Sequence, residues 1–441
     1  MADIRPFKAL RYNKQKIRLQ DIITEPYDRI PPPLQEKYYL RSPYNMVKII
    51  LGKEEDPEFP GVNKYKRAQM YLNRWQEEGI LSKENQAAFY IYEQEFQLNE
   101  HRKRRQGLIV RGKLEELVSK KVLPHEKTFP KHKADRLELL RATNTNTGQI
   151  FLLYKDDNLT VKNAIQFAMQ KSEICAEVMD EDFFLHRLWI IKDEESIQKI
   201  QRAMKEKVLI IADGHHRYET SLNYRKEKLE KNKESDGNES YHFIMMTLFR
   251  LDDPGLVILP TYRLLKGLDK LSETSLKQLL SPYFKIAEIN WPDTSDKSVL
   301  TEAQEKISAS SFTFAIYTAQ FEKIFLLSLK SEELLDQELG LEKSEEWRHL
   351  DVAILHSLII EKLKPLTSEV FSLEKNISYI RDIEQGIEKV KNGEFQMIFL
   401  LKPASIDQIR KIVENGELMP QKSTDFFPKL KSGLVMNPLG E

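Results

Sequence analysis

Between residues 106 and 265 the chain alternates short strand-like runs, "GLIVRGKL", "GQIFLLY", "HRLWIIK", "KVLIIA", "YHFIMMTLFRL" and "LVILP", with stretches of helical spacing. This alternation constrains the fold more than any other feature, because strands separated by helices bury their apolar faces by layering, and it predicts an α/β protein with a mixed sheet. Residues 1–105 start turn-rich, carry a helical pattern around "NKYKRAQMYLNRWQEEGIL" and close on the strand-like "AAFYIYEQEF". In that helix Tyr65, Ala68, Met70, Tyr71, Trp75, Ile80 and Leu81 keep an approximate helical spacing and read as core. Residues 266–441 add "SFTFAIYT", "KIFLLSL", helices and "FQMIFLLKP" before a Pro- and Lys-rich tail. Pattern changes therefore divide the chain into an N-terminal α/β segment (1–105), a central α/β domain (106–265) and a C-terminal α/β segment (266–441).

Composition excludes several function classes. Lys plus Arg and Asp plus Glu are 68 each, so no net field draws the chain to nucleic acid or an anionic membrane, and nucleic acid is an unlikely partner. Its longest apolar runs fall far short of the ~20 residues that cross a bilayer, and the N-terminal stretch lacks a secretory core, so the expected location is the cytoplasm with no membrane partner. One cysteine, Cys175, permits no internal disulfide and reads as an incidental thiol or, less simply, a nucleophile. The charge run "RKEKLEKNKESDGN" reads as a solvated helix face and loop.

Two of the nine histidines stand side by side in "KVLIIADGHHRYETSLNY". "KVLIIA" reads as a buried strand and "RYETSLNYRKEKLEK" as a helix, which leaves "DGHH" at the turn, where α/β proteins place ligands. Gly214 permits a tight turn or close approach, and the first helical N–H groups can point at an anion such as phosphate. Arg217, in the first helical turn, opposes the helix dipole and calls for an anionic partner. Asp213 either caps the helix or holds a magnesium ion or ligand hydroxyl. His215 and His216 cannot face the same way, so one is expected at the ligand and the other packed. Upstream, "VLPHEKTFPKHKADRLELLRATNTNTGQIFLLY" clusters His125, Glu126, Thr128, Lys131, Lys133, Asp135, Arg136, Arg141, Thr143, Asn144 and Asn146. Glu126 is either a surface residue paired with a lysine or a base that deprotonates a hydroxyl in phosphoryl transfer, with Lys and Arg holding the transferred charge. The HExxH and CxxC spacings of transition-metal sites are absent.

In the tail, Lys422, Ser423, Thr424 and Lys429 of "MPQKSTDFFPKLKSG" resemble a phosphate-contacting loop in residue type, without the glycines of a Walker A loop. Either this tail is solvated, or Phe426, Phe427 and Leu430 dock it so that its lysines close over the central site. Asp252, Asp253 and Arg263 in "LDDPGLVILPTYR" are further polar candidates, though "DDPG" needs its Asp and Gly for a turn alone.

The ordered pieces "PFKALRYN", "EPYDRI", "RSPYNMVKI", "LPHEKTFPKHKADRLELLRAT", "MDEDFFLHRLWII", "IADGHHRYETSLNY" and "GELMPQKSTDFFPKLKSGLVM" resemble the domain-of-unknown-function 1015 family over almost the whole chain. The sequence departs from the family pattern at Tyr262 and Asp425. More distantly, "LPHE" followed by "DGHHR" resembles ParB/sulfiredoxin-type folds, free serine kinases among them, and implies such a fold for the central region. That resemblance implies nucleotide phosphate held by Gly214, His215, His216 and Arg217, with Glu126 as the base. On residue type, His125 and Asp213 join the catalytic candidates and Arg136, Lys422, Ser423 and Thr424 the phosphate-binding ones, with ATP or ADP the candidate substrate and magnesium, at Asp213, the candidate cofactor. The larger family's frequent placement beside serine-biosynthesis genes suits serine or phosphoserine as the metabolite. Three functions follow as expectations: a phosphoryl-transfer enzyme in the kinase or phosphatase direction, a ParB-like nucleotide-binding switch, and a noncatalytic ligand-binding protein. The oligomeric state is not legible.

Overall fold

A computed structural model describes residues 2–126, 131–269, 271–367 and 372–440. The chain forms two compact units, one of residues 1–124, 128–257 and 428–441, the other of residues 125–127 and 258–427.

The first unit is built on a nine-stranded mixed sheet. Its strands are β1 (Ile4–Arg5), β2 (Phe89–Leu98), β3 (His101–Lys113), β4 (Val122–Pro124), β5 (Ile150–Tyr154), β6 (Glu173–Met179), β7 (Leu185–Ile191), β8 (Leu209–Asp213) and β9 (Phe243–Arg250). Across the sheet the order is β4-β8-β5-β9-β3-β2-β7-β6, with β1 paired on β3. β4 with β8 and β5 with β9 are parallel, and the other neighbours are antiparallel. The mixed α/β expectation holds. The helices that matter for the site are α1 (Lys64–Glu77), α2 (Lys131–Thr143), α3 (Thr160–Gln170), α4 (Glu194–Met204) and α5 (His215–Lys231). Asp193 caps α4 by accepting from the Ser196 N–H at 2.9 Å, and Glu194 and Glu195 in its first turn complement the dipole. Leu108, Val110, Ile150, Leu152, Leu209, Ile211 and Met246 from the sheet pack with Val161, Ile165, Ile197 and Ile200 from α3 and α4 in one apolar core.

A boundary at 105/106 is corrected by this sheet. β2 and β3 form one hairpin that pairs Leu98 with His101, so residue 105 lies inside a strand and residues 1–105 share a unit with the central region. The second boundary moves to 257/258, and "LVILP" is strand over Val257–Ile258 only. Residues 428–440 are not a solvated tail: Ser432 exchanges backbone hydrogen bonds with Thr24 at 2.9 and 3.1 Å, and Asn437–Pro438 pairs with Thr145–Asn146. In α1 the buried stripe is Arg67, Ala68, Tyr71, Leu72 and Trp75, close to the expected one. Cys175 is buried. The charge run at 225–238 is mostly exposed.

The second unit holds a six-stranded sheet of β10 (Tyr262–Leu265), β11 (Phe284–Asn290), β12 (Thr313–Thr318), β13 (Lys323–Leu329), β14 (Ile377–Ile380) and β15 (Met397–Leu400). Helices α6 (Lys297–Ala309), α7 (Ile383–Lys391) and α8 (Ile406–Glu414) belong to the same unit. Residues 355–360 make a π-helical turn. No helix among the described residues is long and apolar enough to cross a membrane.

Candidate functional site

β8 ends at Asp213 and α5 begins at His215, which places the turn where the hydrophobic run and helical spacing put it. Pairing between β8 and β5 shifts register between Ile211 and Asp213, an irregularity of the kind that re-aims a side chain at a strand end. Gly214 turns the chain with φ 94°, a left-handed conformation that costs a residue with a Cβ about 1–2 kcal/mol. It precedes a helix with no side-chain cap. His215 is buried and His216 half-buried.

Asp213 accepts from the Gly214 N–H at 2.8 Å. Its other oxygen lies 3.2 Å from Lys429 Nζ and 3.9 Å from Arg217 Nη2. Burial alone would raise its pKa, but Lys429, Arg217 and the more distant Arg29 overcome that and hold the carboxyl well below the usual range. Asp213 therefore stays ionised among cations. This is a poor setting for a protein-held magnesium ion, and no group of three His, Cys, Asp or Glu suited to a metal exists among the described residues.

Arg217 donates from Nη1 to the carbonyl of Gln149 and lies between two glycines. A Cβ at Gly148 would sit 3.3 Å from Nη1 and one at Gly214 would sit 3.1 Å from Nη2. The guanidinium lines a small cleft that Arg136 also lines, together with Tyr27, Thr145, Thr147 and Thr220. Arg136 is fixed by Asp135 at 2.9 Å and by the Ile50 carbonyl at 2.8 Å, with its guanidinium 4.0 Å above the Tyr27 ring. Thr220 Oγ1 is buried without a hydrogen-bond partner among the described residues. The enclosed space is about 60 Å³, room for about two waters at ~30 Å³ each or one small oxyanion. Two arginines around such a space suit a phosphate. Of the turn residues, Arg217 is the one that lines the cleft.

Gly214→Ala is expected to lower stability by about 1–2 kcal/mol and to push the Arg217 guanidinium off its place, because the new Cβ would meet Nη2 at 3.1 Å. Thermal unfolding checks the first effect and phosphate titration the second.

His125, Glu126, Lys422, Ser423 and Thr424 belong to the second unit. His125 is 0% exposed, bonded through Nε2 to Thr424 Oγ1 at 2.6 Å and set edge-on to Phe426. Its ring orders the segment around it. Glu126 bridges to Met419 in parallel fashion, and its Oε2 is buried with no hydrogen-bond partner among the described residues. Ser423 Oγ donates to the Pro420 carbonyl, and the Lys422 carbonyl accepts from Arg263 at 2.9 Å. Asp425 is 2% exposed and paired with Arg381. Thr128 lies outside the described residues, as do the side chains of Lys131 and Lys133. Asp253 accepts from the Gly255 N–H at 2.8 Å, so "DDPG" is a turn.

Asp351 in this unit has its pKa pushed up to about 6 by burial. A carboxyl whose folded value exceeds its unfolded one, ~3.9, removes stability as pH rises between about 4 and 6. Asp351→Asn is therefore expected to be about 3 kcal/mol more stable than wild type at pH 8 and equal to it at pH 4, read from unfolding midpoints.

Sequence reasoning missed Tyr27, Gly148, Thr147 and Thr220. Tyr27 and Arg29 were signalled by the piece "EPYDRI", but nothing local says that it meets a helix start near residue 217. Lys429 was singled out in the tail, and the structure brings it to Asp213 while Lys422, Ser423 and Thr424 fall in the other unit.

A mixed α/β unit with paired arginines beside a strand-to-helix turn is the class of protein that the geometry defines. The model of the family described as "Protein of unknown function (DUF1015)" matches residues 4–353, and the chain belongs to that family. No curated protein matches it. Among solved structures it is similar to a free serine kinase in complex with AMP (16% identity, TM-score 0.33), covering 73% of this chain and 86% of that one. It is also similar to a conserved hypothetical protein from Pyrococcus furiosus (15% identity, TM-score 0.32, covering 73% and 90%). A third, SbnI with a C-terminal truncation from Staphylococcus aureus, shares 10% identity with a TM-score of 0.33, covering 72% and 84%.

Proposed function

We propose that this protein is a phosphoryl-transfer enzyme acting on a nucleotide, ATP or ADP, or on a small phosphorylated metabolite, with serine or phosphoserine as the metabolite of choice. The observation that carries the reading is the pair Arg217 and Arg136 on one oxyanion-sized cleft. Phosphoryl transfer asks a protein chiefly for positioning and charge stabilisation, which such a cleft supplies. In this proposal Gly214, His215 and His216 bring the start of α5 to the phosphate, and Asp213 with Lys429 holds the turn in register.

Glu126 is proposed as the base on residue type, a carboxylate whose Oε2 is buried with no hydrogen-bond partner among the described residues. In the kinase direction the acceptor hydroxyl oxygen bonds to phosphorus as the bond to the departing phosphate oxygen breaks, and a base takes the hydroxyl proton. Magnesium would arrive on the nucleotide's own phosphates, since Asp213 already faces Lys429 and Arg217.

A phosphotransfer and phosphate-release screen with magnesium tests this, over nucleotides with and without serine and over phosphoserine alone. Wild type is expected to turn one of these over, Glu126→Gln to lose at least 100-fold in rate while keeping its ligand affinity, and Arg217→Ala to lose both. Binding without turnover by wild type would put a nucleotide-binding switch or a noncatalytic binding protein in its place.

A further inference from the structure

The second unit contains a charge that makes no ion pair among the described residues. Arg263 on β10 is 1% exposed. Its Nη1 donates to the Thr261 carbonyl and its Nη2 to the Lys422 carbonyl at 2.9 Å. Its Nε is buried with no partner, and the guanidinium makes no ion pair among the described residues. Tyr379, opposite it on β14, lies 5.6 Å below the guanidinium, and the charge of Glu126 reaches it only from beyond contact distance. Burial pushes Arg263 down to about 10, so it remains a cation at neutral pH. His356, in the π-helical turn, is a second buried group with an unpartnered nitrogen, Nε2. Burial and the Arg263 charge push it down to about 3, so it is neutral and supplies no counter-charge. A buried cation whose close contacts are all neutral costs several kcal/mol unless an anion comes within contact distance.

Arg263 borders a cavity of about 330 Å³. Thr261, Ser423, Gln408 and Lys402 line the same space, with Lys402 a second cation and Asp351 beside it as the one acid of the lining. The cavity is thus large enough for a small metabolite, and Arg263, Lys402 and His349 line it together with amide and hydroxyl donors.

We infer that this cavity binds a small oxyanion-bearing metabolite, a carboxylate or a phosphate, through the Arg263 guanidinium with Lys402 at its side. The inference stands on the second unit alone and is independent of the phosphate cleft of the first.

Titration calorimetry on the full-length Arg217→Ala chain, which silences the first cleft, tests it with inorganic phosphate in one arm and malonate in the other. One equivalent of one or both is expected to bind, the tighter of the two naming the oxyanion. Adding Arg263→Lys, which keeps the charge and loses the fork, is expected to weaken binding at least tenfold, and Lys402→Ala to weaken it severalfold. If the Arg263 variant does not fold, Lys402→Ala and Ser423→Ala carry the test. Absence of binding in both arms, or weak binding at several equivalents that no variant changes, overturns the inference.

Discussion

Replacing Lys431 by methionine is expected to destabilise the protein by about 3–5 kcal/mol at neutral pH. The Lys431 side chain is 4% exposed and its ammonium lies 2.8 Å from Asp180, itself 4% exposed, with Glu25 as a second partner. Burial works to raise the Asp180 pKa, and the hydrogen bond from His186 Nε2 at 3.0 Å together with the Lys431 charge overcomes it, holding the carboxyl below its usual range. His186 is fixed in turn by the Tyr92 hydroxyl, which donates to Nδ1 at 2.8 Å. Methionine fills similar volume and brings no charge, so the buried Asp180 carboxylate and the partly exposed Glu25 lose their cation. The sign with pH follows: a depressed carboxyl stabilises above its unfolded pKa and loses that stability as pH falls through the folded one. The deficit of the variant should therefore shrink toward pH 4, where protonation of Asp180 becomes cheap once the cation is gone. Urea unfolding at pH 7 and pH 4 reads both quantities. Asp180→Asn in the Lys431→Met background is expected to restore part of the loss, because it removes the uncompensated charge.

Arg217→Ala is expected to weaken ADP binding about 100-fold, the worth of one or two charge-assisted hydrogen bonds lost to a phosphate. The side chain is tied to the protein by the single Gln149 carbonyl and lies 3.9 Å from Asp213, which leaves guanidinium N–H groups for a ligand. Arg136 is different: Asp135 neutralises it at 2.9 Å and the Ile50 carbonyl takes another N–H. Arg136→Ala is accordingly expected to cost about tenfold. A Lys at 217 should recover little, since a point charge lacks the fork.

Much of this was legible in the sequence where local patterns decide. The apolar run before Asp213, the glycine at φ 94° and the helical spacing after it gave the strand, turn and helix at their observed places. The apolar stripe of α1 was legible for the same reason. β6 was not, because an edge strand with the burial pattern exposed, exposed, buried, buried, exposed, buried, exposed has no clean alternation. Long-range pairings were also hidden. Residues 428–440 read as a tail until Thr24, Met436 and Asn437 are seen in register with their partners. The 105/106 boundary failed because a long hairpin carries no break in composition at its second strand. Gly148 was invisible as a site residue: its role is to leave room for Arg217, and that follows from a side chain 69 positions further along the sequence.

The central claim is that the cleft at Arg217 and Arg136 grips a phosphate, and the most direct test compares ADP with adenosine by calorimetric titration of the wild type and Arg217→Ala chains. Wild type is expected to bind ADP at least 100-fold more tightly than adenosine, and Arg217→Ala to erase most of that difference. Equal affinity for the two ligands, or a preference for ADP that survives in Arg217→Ala, would contradict it.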